Sequence, residues 1–85
     1  MSRVSIEGNQ VIDGESVPND SDTDLRATSN GFYIGTEGDL QVQLENQKDG
    51  ESITFVGLKA GIIYAIKADK VLASGTTADN ILAVY

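Results

Sequence analysis

No cysteine and no histidine occur in the 85 residues of this chain. Without cysteine no disulfide can form, and the sequence carries no mark of a redox compartment. Without histidine it lacks the commonest metal ligand and the usual proton shuttle near neutral pH, and an ordinary Ser-His-Asp triad is excluded. Bases are scarce: Arg3, Arg26, Lys48, Lys59, Lys67 and Lys70 are scattered among 13 acids, for a net charge of −7. Contact with naked nucleic acid needs Lys and Arg clustered on phosphates, so none is expected, and the acidity serves solubility. No run approaches the roughly 18 apolar residues of a membrane span. The segment Met1-Ser-Arg-Val-Ser-Ile-Glu-Gly8 also lacks the apolar core of a signal peptide. A protein made in the cytoplasm, binding no membrane, is the expectation.

What apolar content there is divides unevenly. Residues 1–30 hold 8 hydrophobic residues, and residues 31–85 hold 26. The first 30 cannot bury enough apolar surface to offset their own ordering entropy. They are expected to form an extended N-terminal arm, with a turn-rich acidic break at Pro18-Asn-Asp-Ser-Asp-Thr-Asp24. Val4, Ile6, Val11 and Ile12 are its candidate anchors onto a neighbour.

Residues 31–85 read as a small β-domain. Phe32 and Ile34 alternate with Tyr33, and Leu40, Val42 and Leu44 alternate with Gln41, Gln43 and Glu45, the pattern of half-buried strands. Asp49-Gly50 marks a hairpin. Ile53 and Phe55 return, Leu58-Lys-Ala-Gly61 turns again, and Ile62 to Ala68 reads as the most apolar, central strand. A helix over Ile62 to Ala73 is the weaker alternative, because Ile62, Ile63, Ile66 and Val71 are β-branched. Gly75 to Asn80 turns into a last strand, Ile81 to Tyr85. The predicted fold is all-β: a small antiparallel sandwich or barrel, with Phe55, Ile62 and Ile66 among its core anchors. About 55 residues lie near the lower limit for an independent core. With no disulfide or metal to supplement it, oligomerisation is the remaining device.

Candidate chemistry is thin. Asp20, Asp22 and Asp24 alternate like the opening of a calcium loop, but Leu25 and Gly31 stand where the glycine and the closing glutamate are required. A solvated turn is the expected reading, with a cation site completed by a neighbouring chain as its rival. Glu37 with Asp39, and Asp49 with Glu51, lie beside glycines in turns and lack the burial that acid–base work requires. Serine and threonine have no activating base, and Gly35-Thr-Glu-Gly38 has no phosphate-loop lysine. No enzyme, cofactor or metal is expected. Phe32 and Phe55 suit the core, while Tyr33, Tyr64 and Tyr85 suit a subunit interface, where an amphipathic ring has one dry and one wet side.

Three stretches carry a family likeness: Gly31-Phe-Tyr-Ile-Gly-Thr-Glu-Gly-Asp-Leu-Gln-Val-Gln-Leu44, Ile53-Thr-Phe-Val-Gly-Leu-Lys-Ala-Gly-Ile-Ile63, and Lys70-Val-Leu-Ala-Ser-Gly-Thr-Thr-Ala-Asp-Asn-Ile-Leu-Ala-Val-Tyr85. In order and spacing they resemble the head-spike base proteins of gene transfer agents and related small tailed-phage proteins. Leu58-Lys59 stands where such proteins often have a proline. The resemblance implies a structural virion protein with no activity of its own, a capsid decoration, cement or head-spike base protein. Its partners would be the major capsid protein on the outer capsid surface and itself, as a homotrimer ahead of a homopentamer. A tail or head–tail connector component and a host-surface carbohydrate-binding module are the alternatives.

Overall fold

Eight strands form two antiparallel four-stranded sheets in the computed structural model, which describes residues 13–85. They are β1 (Gly14–Val17), β2 (Thr23–Asp24), β3 (Gly31–Thr36), β4 (Gly38–Leu44), β5 (Ile53–Leu58), β6 (Ile62–Tyr64), β7 (Ala68–Leu72) and β8 (Asp79–Val84). A single 3-10 turn, Ala73–Gly75, precedes β8. The first sheet runs β1-β8-β3-β6 and the second β2-β7-β4-β5. Neither closes on itself, so the expected sandwich is present and the barrel alternative falls away. Successive strands mostly change sheet. The one-residue link Glu37 and the short link Lys59–Gly61 set β3 against β4 and β6 against β5.

Alternation decides the core. Phe32 and Ile34 from β3, Ile81 and Ala83 from β8, Leu40 and Val42 from β4, and Val71 from β7 are all buried. They meet in one cluster between the sheets, with Leu44 and Phe55 packed against it. Two-residue periodicity along antiparallel strands with one wet face produces such a layer directly.

Residues 13–30 are more integrated than an arm would be. β1 pairs with β8 from Gly14↔Val84 to Val17↔Ile81, and Val17 joins the core. β2 pairs with β7, and Ser29 is fully buried. Three hydrophobic residues, Val17, Leu25 and Ala27, suffice here because the segment completes sheets that others have started. The expected anchors Val4, Ile6, Val11 and Ile12 lie outside the described residues.

The strand expected over Ile62 to Ala68 is two strands. β6 stops at Tyr64, where the Ile66 N–H donates back to the Tyr64 carbonyl at 3.0 Å, and the chain crosses to the other sheet to begin β7. β6 is therefore an edge strand rather than a central one. Ile62, expected in the core, is 43% exposed, while Ile66 is buried and Phe55 partly so. No helix forms over 62–73.

The glycine-threonine motifs at 35–39 and 75–78 are two halves of one joint. The Asp39 carbonyl accepts from the Thr77 and Ala78 N–H groups at 2.9 and 3.1 Å, and the Asp39 N–H donates to Thr77 Oγ1 at 2.9 Å. Thr76 Oγ1 accepts from the Gln41 N–H at 3.0 Å and donates to the Leu72 carbonyl at 2.8 Å. Gly38 is where the backbones touch: a Cβ there would lie 2.5 Å from Ala78 N and 2.7 Å from its Cα. Gly38→Ala should therefore destabilise by about 1–3 kcal/mol, the range of overpacking. Gly14→Ala, whose added Cβ would find its nearest neighbour at an ordinary 3.7 Å, should be tolerated. Urea unfolding of the two variants checks the contrast, and equal midpoints would refute the joint.

Candidate interaction surface

The turn carboxylates act as local hydrogen-bond acceptors. Asp22 Oδ1 accepts from the Ala73 N–H at 2.8 Å, and Asp24 faces Lys70 at 3.7 Å. The alternation that resembled a calcium loop thus divides into separate contacts. Asp39 Oδ1 accepts from the Gly57 N–H at 2.9 Å, Glu37 faces Lys59 at 3.7 Å, and Glu51 Oε1 accepts from the Lys48 N–H at 2.9 Å. Among the described residues, no group of three or more acids is gathered so as to hold a metal ion. An open trough at the hairpin end has Leu44, Phe55 and Ile66 in its lining, with Asn30 and Lys67 beside them. Lys67 Nζ donates to Asn30 Oδ1 at 2.8 Å. Nothing there activates a nucleophile.

What distinguishes the molecule is the contrast between its two outer faces. On the β2-β7-β4-β5 sheet the outward residues of β4 are Gln41, opposite Thr54 and Leu72, and Gln43, opposite Lys70. Gln41 Nε2 donates to Ser52 Oγ, and Gln41 Oε1 accepts from Ser74 Oγ, both at 2.8 Å. On the β1-β8-β3-β6 sheet, Tyr33 is registered against Leu82 on one side and Ile63 on the other. Opposed residues of antiparallel strands share a face, so Leu82, Tyr33 and Ile63 form an apolar row on the outside. Leu82 is 40% and Ile63 45% exposed.

Further exposed apolar side chains lie on β5 and β6, the edge strands of the two sheets, which Lys59–Gly61 joins. Ile53, Val56, Ile62 and Ile63, four of the five large hydrophobics most exposed among the described residues, belong to β5 or β6, and Val56 is 75% exposed. Full burial of such a side chain is worth about 1.5–3 kcal/mol. Because the five are only 40–75% exposed, covering what remains of them is worth on the order of 4–7 kcal/mol, close to the lower end of the roughly 4–15 kcal/mol that association costs. Apolar contact alone leaves association in balance, so polar and charged groups decide it.

Of the residues singled out in the sequence, Tyr33 lies in the middle of the outer row. Tyr64 is partly buried against the core, and its phenolic oxygen accepts from the Lys59 N–H at 2.8 Å. Tyr85 also packs against the core; its hydroxyl donates to Glu15 Oε1, and the Arg26 guanidinium lies 4.5 Å above its ring. Arg26 in turn pairs with Asp13, and the Tyr85 N–H donates to the Asp13 carbonyl at 2.9 Å. Partial burial and the bond to Glu15 push the Tyr85 phenol up to about 12. Arg26, helped by the Gly14 N–H, lowers the Asp13 carboxyl below its ordinary value. These groups fasten the last residue to the start of β1.

Leu82, Ile63, Ile62, Ile53 and Val56 did not stand out in the sequence as surface residues. The signal was there in the unbroken runs Ile62-Ile-Tyr64 and Ile81-Leu-Ala-Val84. In a strand, consecutive apolar residues must point to opposite sides, so one of each pair faces out.

A solved structure described as the "Capsid of native GTA particle computed with C5 symmetry" shares this fold. It superposes with a TM-score of 0.74, over 92% of this chain and 87% of that chain, at 24% sequence identity. No protein-family model matches the chain, and neither does any curated protein.

Proposed function

We propose that this protein is a non-enzymatic structural component of a phage-like virion. It joins the outer capsid surface as a decoration, cement or head-spike base protein, binding the major capsid protein and further copies of itself. The observation that carries the reading is the near full-length likeness to a chain in the capsid of a gene transfer agent particle. Two features support it: carboxylates occupied in turn contacts, and an apolar row on one outer face whose surface suits protein contact.

Residues 1–12, with Val4, Ile6, Val11 and Ile12, supply further contacts to a neighbouring subunit or to the capsid. Tyr33, between Leu82 and Ile63, offers a dry contact. A sugar platform would need polar side chains beside the ring, and its row provides none, so the carbohydrate-binding reading loses support. A tail or connector role shares the same physical features and differs in location.

Purified protein mixed with capsids assembled without it should co-sediment at a saturable ratio, and density should appear on the outer shell. Density confined to a unique vertex would select the connector reading. Absence of binding at micromolar protein would overturn the virion role.

A further inference from the structure

The outer face of the β1-β8-β3-β6 sheet bears no charged side chain. Its strands hold two charged residues, Glu15 and Asp79. Both occupy positions of inward parity: Glu15 is registered against the buried Ala83, and Asp79 lies two residues before the buried Ile81. By contrast, the outer face of the other sheet sets Lys70 opposite Asp24 and Gln43. The charge-free face also has relief. Ser16, Leu82, Tyr33 and Ile63 stand in register as one row across the strands, and Gly14, Val84 and Gly31 form the next. The first row is a ridge of large side chains that ends at Ser16. The second is a furrow, because two of its three positions have no side chain and Val84 is buried. Its floor is closed and apolar: a Cβ added to Gly31 would lie 3.3 Å from Ile63 Cγ2 and 3.4 Å from Val84 Cγ2.

We infer that two copies of this chain pair through this face about a twofold axis, the ridge of each lying in the furrow of the other. Successive rows on one face of a sheet are two residues, about 7 Å, apart. A twofold axis parallel to the rows and midway between them therefore sets ridge on furrow twice. Leu82 then covers the other copy's Val84, and Tyr33 covers the other copy's Gly31. A patch that is its own complement is what a twofold contact requires. Charge selects the same partner. Apolar gain and association cost nearly balance, so in a chain of net charge −7 repulsion between acids decides where copies can meet. Two uncharged faces packed together bring none to the contact, whereas a strongly charged partner would find no counter-charge there. Four strands about 4.8 Å apart and about five residues long give a footprint of roughly 300 Å², against the ~800 Å² that each side of a stable pair buries. The pairing is accordingly weak, and it suits copies already held close together on a particle. The inference rests on the self-assembly in the reading above and adds the face, the symmetry and the residues.

A concentration series on the unaltered chain tests it first. Between about 0.01 and 1 mM, the span of weak contacts, sedimentation equilibrium should show the 9.0 kDa chain passing into its dimer. Amide resonances that shift over that series should map to Gly31, Tyr33, Ile63, Leu82 and Val84. Raising sodium chloride from about 0.1 to 1 M should not weaken the pairing, since the contact has no charges to screen. Leu82→Lys, checked for a native circular dichroism spectrum, should pair more than about tenfold more weakly, because it places a charge in a dry contact. Gln43→Lys adds the same charge to the outer face of the other sheet and should pair like the unaltered chain. If Leu82→Lys fails to fold, the resonance and salt measurements still decide. A monomer throughout the series, shifts confined to other surfaces, weakening by salt, or a folded Leu82→Lys that pairs normally would overturn the inference. Capsid co-sedimentation reports separately on the virion role. An unaltered chain that binds capsids but never pairs would sink the twofold contact alone, and loss of that binding in Leu82→Lys would then assign the face to the shell.

Discussion

Phe32→Ala should lower the melting temperature by more than about 12 °C and bring the chain close to unfolding at room temperature. Phe32 is fully buried in the middle of β3, with Ala83 on one side and Tyr64 on the other in register. Replacing a core phenylalanine by alanine costs about 3–5 kcal/mol, transfer and cavity together. A domain of this length has on the order of 4–13 kcal/mol in total, and each kcal/mol moves the melting point of such a domain by roughly 4–8 °C. Small Ala83 at one side leaves little side chain to lean into the space, which favours the upper end of the range. Val56→Ala is the control: 75% exposed on an edge strand, it should stay within about 0.5 kcal/mol. Thermal denaturation followed by circular dichroism should use one protein concentration, because assembly raises the apparent midpoint. Midpoints within 3 °C of each other for the two variants would show that the core is assigned wrongly.

The alternation of Leu40, Val42 and Leu44 with glutamines was a reliable guide because one face of β4 is dry and the other is wet. Phe32 and Ile34 followed the same logic. Legibility failed where a strand is apolar on both sides. Ile62 read as a core residue on a central strand, yet β6 is three residues long and lies at an edge, so burial of Ile62 and Ile63 on neither side is complete. No local pattern says whether a strand will be central or peripheral; that is settled by which other strands pair with it. The same holds for residues 13–30, whose composition suggested an unpacked arm. Their burial comes from partners far along the chain, Val17 against Ile81 and Thr23 against Val71. The apolar row is likewise a cross-strand property: Leu82, Tyr33 and Ile63 become neighbours only through pairings across 30 residues or more on one side and about 50 on the other.

Ser29→Ala should destabilise the chain by about 2–4 kcal/mol, more than its small change in volume would suggest. The serine is fully buried where the segment after β2 meets the start of β7. Its N–H donates to the Ala68 carbonyl at 2.9 Å, and its hydroxyl then does two jobs. Oγ accepts from the Ala68 N–H at 3.1 Å and donates to the Ile66 carbonyl at 2.8 Å. The side chain thus replaces a missing ladder partner where the chain crosses between sheets. Nothing in the run Ala27-Thr-Ser-Asn30 distinguishes this serine from an ordinary turn residue, because its partners lie 37 and 39 positions away. Removing the hydroxyl leaves a buried donor and a buried acceptor unpaired, and each such group costs about 1–3 kcal/mol. Ser29→Cys nearly keeps the shape while weakening both bonds, so it should fall between wild type and alanine. Hydrogen exchange gives the local signature: the Ala68 amide should lose protection in Ser29→Ala beyond the global loss. An alanine variant as stable as wild type, with the Ala68 amide still protected, would mean that the hydroxyl bonds contribute nothing and that simple packing holds the crossing together.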